Sequence, residues 1–348
     1  MGSKIQGLIS KARKNGYPRN IRIIARAKDK SLLNISLGPN VKFYDVGSMT
    51  KIMVTVPLCM KLFEERILNL NAKVETYLKY FQNTPVGRIQ IKNLLRHDSG
   101  LAAWRPFYKM LKNLPEEDRI FALKSIFKKE KIKKVNKCVY SDLDFIILGW
   151  VIEEILDMPL DEAAQIFIFK KLEMRDTFFN PKKRNIRSQL FAPTRKNRER
   201  GLVQGEVFDD NSWSLGGVSG HAGLFSTGGD VTLLSQEFLN LYNGKKTQLA
   251  KSSTFKKFVK RAVPAKKGDW ALGFTLPSRP SSTAGTKVSL KAFGHVGYTG
   301  TSLWVDPTRK AVVTILSNGT YPKFTNEKFK YLRRELHDMV WEIIDDQK

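Results

Sequence analysis

The pattern of apolar and polar positions predicts strands at both ends of the chain. Residues 21–27 alternate with β-branched side chains, and residues 32–37 repeat the alternation after a charged turn. Toward the C-terminus, short alternating or apolar segments predict further strands at 270–276, 288–295, 301–305 and 311–317, and one apolar face predicts a helix over 326–345. We therefore expect one antiparallel sheet that both chain ends share.

The middle of the chain is predicted to be mainly helical. Residues 89–95, 141–156 and 233–242 have apolar positions near a 3.6 period, whereas residues 203–229 are rich in glycine. A strand-like segment at 41–46 leads into residues 49–68, which are apolar on nearly all faces, as in a buried helix that Pro57 kinks or ends early. The expected class is α+β: an antiparallel sheet flanked by helices, with an inserted all-α domain. Sites are expected at the seam between the two parts.

These patterns give provisional domain boundaries. We assign residues 1–20 to an N-terminal basic segment and residues 21–348 to one composite domain. In that domain 21–65 and 235–348 form the α/β part, and 66–234 form the helical part. The 348 residues are 42% hydrophobic, enough for a substantial core, which excludes disordered and fibrous classes. No apolar run reaches the ~18 to 20 residues that span a bilayer, so no transmembrane segment is predicted.

The net charge is the unusual compositional feature. Lys and Arg number 60 against 33 Asp and Glu, a net charge of +27. Basic clusters at 128–134, 182–187, 195–200 and 256–261 are spread over the chain and accompany no nucleic-acid-binding motif. We predict solvated surface and no specific nucleic-acid partner, with contact to an anionic polymer such as cell-wall material as the alternative.

Cysteine and histidine usage predicts neither a metal nor a cofactor. The two cysteines, Cys59 and Cys138, lie in apolar surroundings and cannot form a disulfide framework or a zinc site, so both are expected to be buried. The four histidines are scattered along the chain without metal-ligand spacing.

Ser48 and Lys51 are the strongest candidates for chemistry. A serine and a lysine three residues apart at the start of a helix share one face, so the amine can reach the hydroxyl. Burial lowers the pKa of a lysine, and a neutral lysine can take the serine proton. The same spacing occurs at Ser125/Lys128 and Ser253/Lys256. Only the Ser48 instance follows a glycine at a strand-to-helix junction.

Two further motifs fit as partners of Ser48. Tyr140 comes two residues before Asp142 at the start of an apolar helix, and its hydroxyl could share proton transfer with Lys51. His295 and Gly297 lie between two predicted strands, and the Tyr298 N–H could join the Ser48 N–H as a pair of oxyanion donors. Packing and helix capping remain alternatives for each motif taken alone.

In order, the motifs Ser48-x-x-Lys51, Tyr140-x-Asp142 and His295-x-Gly297 resemble those of the serine β-lactamase and penicillin-binding protein superfamily. The class C β-lactamase-like hydrolases are the most similar branch. Further segments resemble segments of this superfamily and occur in the same order along the chain. They are 43–51, 89–101, 139–149, 217–227 and 294–307. The resemblance covers residues 20–345 and implies an α/β domain, built from both chain ends, beside an all-α domain.

The resemblance also implies roles for individual residues. Ser48 would be the acylated nucleophile, Lys51 its base and Tyr140 a proton relay. Substrate would be bound by Asp142, His295, Gly297, Tyr298, Thr299 and His221. His221 lies in the glycine-rich loop, where a purely structural role is the alternative. His97 is expected to cap a helix and form a turn.

Two positions depart from the common family pattern. Asp142 stands where the family usually has asparagine, and an ionised Asp142 could pair with Lys51 and keep it charged. His295 stands where lysine usually supplies a cation for a substrate carboxylate, and histidine at this position also resembles esterases and some peptidases. With an ordinary histidine pKa near 6.5, His295 is expected to make activity depend on pH.

The motifs together predict a serine hydrolase that forms an acyl-enzyme on an amide or ester. A peptidoglycan-type D-alanyl peptide ranks first, a β-lactam second and a small ester third. The rival prediction is a catalytically silent relative that binds cell-wall fragments. The superfamily's usual substrates imply a periplasmic or secreted enzyme whose signal has been removed, with the cytoplasm as the alternative.

Overall fold

The computed structural model describes residues 2–134, 136–278, 280, 282–322 and 326–347. Their strands are β1 Ile21–Ala27, β2 Lys30–Leu37, β3 Tyr44–Asp45, β4 Arg195–Asn197, β5 Gly201–Val203, β6 Phe225–Ser226, β7 Phe293–Val296, β8 Ser302–Asp306 and β9 Ala311–Ser317. Their α-helices are α1 Gly2–Lys14, α2 Val56–Glu64, α3 Val74–Tyr77, α4 Ile91–Leu95, α5 Phe107–Leu111, α6 Glu116–Phe127, α7 Asp142–Leu156, α8 Leu160–Ala164, α9 Asp210–Ser214, α10 Gly228–Tyr242, α11 Ser252–Val259 and α12 Asn326–Asp345.

Both chain ends contribute to one five-stranded antiparallel sheet, in the order β2-β1-β9-β8-β7. Strand β1 lies between its hairpin partner β2 and the distant strand β9, so that Ile21 faces Leu37 on one side and Ser317 on the other. The predicted sheet that the two chain ends share is therefore confirmed.

Helices cover both faces of this sheet. On β9, Val312 and Leu316 belong to the larger hydrophobic core, whereas Val313 and Ile315 belong to a smaller second core. Helix α10 packs against β8 and β9 on the side of the larger core, and α12 and α1 cover the other side. The predicted α+β class is therefore confirmed.

The N-terminal segment forms part of the second core. Helix α1 is basic in its last turn but buries Ile5, Ile9 and Ala12, and it contacts α12 and β2. The predicted basic segment is therefore an amphipathic helix that packs on the domain. None of the helices within the described part of the chain is long and apolar enough to cross a membrane.

Several predicted elements differ from those observed. Residues 270–276 form isolated bridges instead of a strand, because Gly273 turns the chain with a positive φ of 89° and its N–H bonds to the Leu95 carbonyl. Residues 49–68 divide into a short 3₁₀ turn, a π-helical turn at Lys51–Thr55 and α2. Helix α10 begins at Gly228, so the predicted boundary at residue 235 falls inside it. Cys59 is buried as expected, but Cys138 is only partly buried.

Two buried asparagines connect the sheet to the helical part. The Asn318 side chain accepts a hydrogen bond from the Asn20 N–H (2.8 Å) and donates to the Pro193 carbonyl (2.9 Å) and to Asn20 Oδ1 (3.1 Å). Asn318 is fully buried, so water cannot replace these bonds.

Replacing Asn318 should therefore destabilise the protein. We expect Asn318→Ala to lower the free energy of unfolding by about 2 to 3 kcal/mol, because it leaves buried polar groups without partners. Chemical denaturation measures this loss, with the exposed Asn113→Ala as the matched control. Equal losses in the two variants would contradict this account of the seam.

Candidate active site

Ser48 lies on a tight turn between β3 and the buried helical segment. Gly47 has a φ of 55°, and its N–H donates to Asp45 Oδ1 at 2.8 Å. The Thr50 hydroxyl donates to the Gly47 carbonyl at 2.7 Å, which closes the turn. Ser48 is only half-buried, and its side chain lines the large cavity between the sheet and the helical part.

Lys51 is completely buried beneath Ser48, and its ammonium has three acceptors. Nζ lies 3.0 Å from Ser48 Oγ, 2.7 Å from Asp142 Oδ1 and 3.1 Å from the His221 carbonyl oxygen. An ammonium has three N–H donors, so these acceptors satisfy all of them. The two motifs and the glycine-rich loop therefore converge on one nitrogen atom.

The structure distinguishes between the two charge states considered for Lys51. Burial acts to lower the pKa of Lys51, but the neighbouring Asp142 and Tyr140 act to raise it, and the net result is a pKa above the ordinary lysine value. The expectation that burial makes Lys51 neutral is therefore wrong for the resting site. Asp142 forms an ion pair with Lys51. This is the alternative expected from an aspartate at the position where the family usually has asparagine.

Tyr140 lies beside this ion pair. The Lys51 ammonium is 4.9 Å from the centroid of the Tyr140 ring. The hydroxyl is buried, and no group in the described part of the chain meets hydrogen-bond geometry with it. Burial raises the pKa of Tyr140 to about 12, although Lys51 acts in the opposite direction. Tyr140 is thus a neutral phenol at neutral pH.

The loop after β7 is held directly against the Ser48 turn. The hydroxyls of Thr299 and Thr301 donate to the carbonyls of Asp45 and Val46, each at 2.8 Å. A Cβ on Gly297 would lie 2.3 Å from the Val46 carbonyl oxygen, so only glycine permits this approach. The loop and the nucleophile turn thus meet backbone to backbone.

The predicted oxyanion donors lie near this contact. A Cβ built on Gly47 would be 3.2 Å from the Tyr298 nitrogen, which brings the Tyr298 peptide close to the turn that carries Ser48. Arg333 Nη1 donates to the carbonyls of Gly297 (3.1 Å) and Thr301 (2.9 Å) of this loop.

His295 lines the cavity but is almost fully buried. Its Nδ1–H donates to the Val296 carbonyl at 2.8 Å, and Nε2 is buried without a partner among the described residues. Burial, assisted by Lys51, lowers the pKa of His295 to about 3. The expectation that His295 makes activity depend on pH near neutrality is wrong, because the ring stays neutral there.

The His221 ring makes two internal hydrogen bonds. Nδ1 lies 2.8 Å from the Ser219 hydroxyl, and Nε2 lies 2.9 Å from Asp209 Oδ1. Both ring nitrogens are therefore engaged, while the backbone carbonyl of the same residue accepts from Lys51. This arrangement fits the structural alternative for His221 better than direct substrate binding.

The cavity has a volume of about 810 Å³, and its wall combines aromatic with charged side chains. The Phe208 and Tyr298 rings stack at 5.6 Å, and the Tyr140 and Trp270 rings at 5.7 Å. Several lining residues belong to none of the sequence motifs, namely Trp104, Tyr108, Arg195, Phe208, Asp209, Asp210, Trp270 and Arg333. They come from segments without motif spacing, so only the fold brings them together.

One predicted surface cluster is partly internal. Arg195 and Arg200 were expected on the solvated surface, but Arg195 is buried and the Arg200 side chain is only 4% exposed. Both guanidinium groups pair with Asp210, whose charge compensates their burial. The sequence feature that could have predicted this pairing is the adjacent acidic residues Asp209 and Asp210 in a largely basic chain.

Three groups near Lys51 are close enough to share a cation. The ligand atoms of Asp142, Asp209 and His221 lie within 4.8 Å of one another. Each is already engaged, Asp142 by Lys51, and Asp209 and His221 by each other. The Lys51 ammonium supplies the positive charge at this point, so the geometry does not call for a metal ion.

Comparison with protein-family models identifies the family to which this set of site residues belongs. The model described as Beta-lactamase matches residues 42–337. The chain belongs to the beta-lactamase family. The match contains all three motifs and both sides of the cavity. This membership makes the protein a serine hydrolase of the β-lactamase fold.

Individual proteins agree with this family assignment. A Salmonella typhimurium protein named "Putative D-alanyl-D-alanine carboxypeptidase" is 32% identical over 313 residues, covering 82% of this chain and 71% of the relative. The solved structure of EstCE1, a hydrolase with promiscuous acyltransferase activity, matches with a TM-score of 0.76 and 18% identity, covering 97% of this chain and 98% of that one. A penicillin-binding protein homologue from Pyrococcus abyssi matches with a TM-score of 0.74 and 18% identity, covering 97% and 76%.

The Lys51–Asp142 pair generates a prediction about pH. Replacing Asp142 with asparagine removes the carboxylate that raises the pKa of Lys51, so burial should then lower it. In the native enzyme Asp142 can accept a proton from Lys51, so Lys51 need not be neutral. Without Asp142 only a neutral Lys51 can take the Ser48 proton, so labelling of Ser48 in Asp142→Asn should rise as pH passes through the lowered pKa of Lys51. We expect the rate of labelling by a fluorophosphonate between pH 5 and about 10 to follow this rise in Asp142→Asn and not in the native protein. The same pH profile in the two proteins would contradict this role of Asp142.

Proposed function

We propose that this enzyme hydrolyses a peptidoglycan-type D-alanyl peptide through an acyl-enzyme on Ser48. The observation that carries the proposal is the hydrogen bond of 3.0 Å between Ser48 Oγ and a fully buried, paired Lys51, at the wall of a cavity large enough for a peptide. The name of the Salmonella typhimurium relative supports this substrate class.

The proposed acylation begins with proton transfer across the ion pair. Ser48 Oγ attacks the substrate carbonyl carbon while its proton passes to Lys51, and Lys51 gives one of its own protons to Asp142 over the 2.7 Å contact. The charged state of Lys51 is thereby restored. The backbone N–H groups of Ser48 and Tyr298 are the proposed donors to the oxyanion.

Collapse of the tetrahedral intermediate requires a proton for the leaving amine. The Tyr140 hydroxyl is the proposed donor, because it lies beside Lys51 and forms no good hydrogen bond within the described structure. The proton held by Asp142 then returns through Lys51 to Tyr140. Water then attacks the carbonyl carbon of the acyl-enzyme, the same proton transfers occur in reverse, and the acyl group is released. Every side chain therefore ends in its starting state.

Binding of a terminal carboxylate needs a positive charge that neutral His295 does not supply. Arg333 lines the same wall, is 3% exposed, and forms no salt bridge with any acid in the described ranges. Its guanidinium could therefore take the place of the usual lysine. Gly297, Tyr298 and Thr299 remain the proposed contacts for the substrate backbone.

An ester is the second candidate substrate. It is favoured by the neutral His295 and by the aromatic side chains in the wall, both of which suit an uncharged group better than a carboxylate. A β-lactam would meet the same groups as a D-alanyl peptide. For a cell-wall substrate we place the enzyme in the periplasm or outside the cell, where the high positive charge would favour contact with anionic wall polymers.

Covalent labelling tests the proposed nucleophile. We expect a fluorescent penicillin and a fluorophosphonate each to form one adduct, seen by intact mass, that disappears in Ser48→Ala. The matched control is Ser253→Ala, which removes an exposed serine with the same spacing to a lysine and should leave labelling unchanged.

The pattern of labelling separates the candidate functions. An adduct that persists in Ser48→Ala would remove Ser48 from the mechanism. Labelling by the fluorophosphonate alone would favour the esterase. No adduct with either probe would overturn the proposed hydrolysis and favour a silent relative that binds wall fragments.

A further inference from the structure

His97 is bonded to both residues that flank Tyr140. It ends α4 in the left-handed conformation, with a φ of 57°. Its backbone carbonyl accepts the Val139 N–H at 3.0 Å, and its ring Nδ1 accepts the Ser141 N–H at 3.2 Å. One residue therefore holds the backbone on either side of the proposed proton relay.

The His97 ring also fixes the Tyr140 ring by packing. The two rings lie 4.8 Å apart, and Trp270 lies 4.6 Å from His97 in an edge-to-face arrangement. Trp270 in turn stacks on Tyr140 at 5.7 Å. The three rings form one cluster, so the Tyr140 ring has little freedom to rotate or shift.

Asp144 sets the orientation of the His97 ring. Asp144 Oδ2 lies 3.0 Å from Nδ1, and both side chains are fully buried. Burial raises the pKa of Asp144 and lowers the pKa of His97, so burial favours the uncharged form of each group. Because the Ser141 N–H donates to Nδ1, this nitrogen is an acceptor, and the Asp144 contact is a hydrogen bond when the carboxyl group carries a proton.

This arrangement is energetically unfavourable if its only role is to end a helix. His97 Nε2 and Asp144 Oδ1 are buried without hydrogen-bond partners in the described structure. Glycine or asparagine would adopt the left-handed conformation without burying such groups. Capping alone, the role expected for His97 from the sequence, therefore does not account for the histidine.

We propose that His97 is a positioning residue that holds Tyr140 in line with Ser48 and Lys51, and that Asp144 supports it. His97 is not among the residues that line the cavity, so it acts through Tyr140 and does not touch substrate. The inference rests on the proposed function, because it takes Tyr140 as the proton relay.

A double-mutant cycle tests this dependence. The variants are His97→Asn, which suits the left-handed backbone but lacks the ring, Tyr140→Phe, and the double variant. Each is assayed with whichever of a D-alanyl-D-alanine peptide and p-nitrophenyl acetate the native enzyme hydrolyses. We expect His97→Asn to lower kcat by about 10- to 100-fold with KM within about twofold, since misplacing a catalytic group by 1 Å has effects of this size.

The cycle separates positioning from general destabilisation. In the Tyr140→Phe background, His97→Asn should change kcat by less than about threefold, because the hydroxyl that it positions is already gone. The control His337→Asn alters a buried histidine outside the cavity and should lower Tm without lowering kcat. A loss from His97→Asn that is equal in both backgrounds would overturn the proposal, as would full activity of Tyr140→Phe.

Asp144 provides a rescue test that a purely structural role would not pass. Asp144→Asn keeps an N–H donor for His97 Nδ1 and should retain kcat within about threefold, whereas Asp144→Leu should lose as much as His97→Asn. Equal kcat values for the two Asp144 variants would overturn the supporting role. If the native enzyme hydrolyses neither substrate, the proposed function itself fails, and the assignment of His97 fails with it.

Discussion

The geometry of this site depends on the burial of one ammonium group, that of Lys51. Moving an ammonium from water into a protein interior is unfavourable by several kcal/mol unless it is paired and fully hydrogen-bonded. Its three acceptors belong to the Ser48 turn, the start of α7 at Asp142 and the loop at His221. Displacing any of these segments would leave one N–H donor of the buried ammonium without an acceptor, so the ammonium fixes their relative positions.

Close backbone contacts make this convergence sterically feasible. Gly220 packs on α7 so tightly that a Cβ would lie 2.2 Å from the Phe145 carbonyl oxygen, and Gly297 approaches Val46 in the same way. Such contacts bring the His221 carbonyl under Lys51 and the loop after β7 beside Ser48. The catalytic groups are therefore positioned by main chain as much as by side-chain packing.

The parts of this structure that the sequence predicts well are those set by local rules. A short apolar run predicts the strand over 311–317, and three-residue spacing predicts the contact between Ser48 and Lys51. Properties that depend on distant neighbours are not predictable in this way. Arg195 is internal because Asp210 compensates its charge, and the low pKa of His295 arises from its burial and from the nearby Lys51 in the folded domain. No spacing rule reports either property.

The charge state of Lys51 is the central claim, and NMR of ¹⁵N-labelled lysine side chains measures it directly. The Lys51 signal can be assigned by its loss in Lys51→Ala. We predict an Nζ signal that remains that of a charged ammonium through about pH 10 in the native protein and titrates at lower pH in Asp142→Asn. A neutral Lys51 at pH 7 in the native protein, or identical titration in the two proteins, would contradict the account.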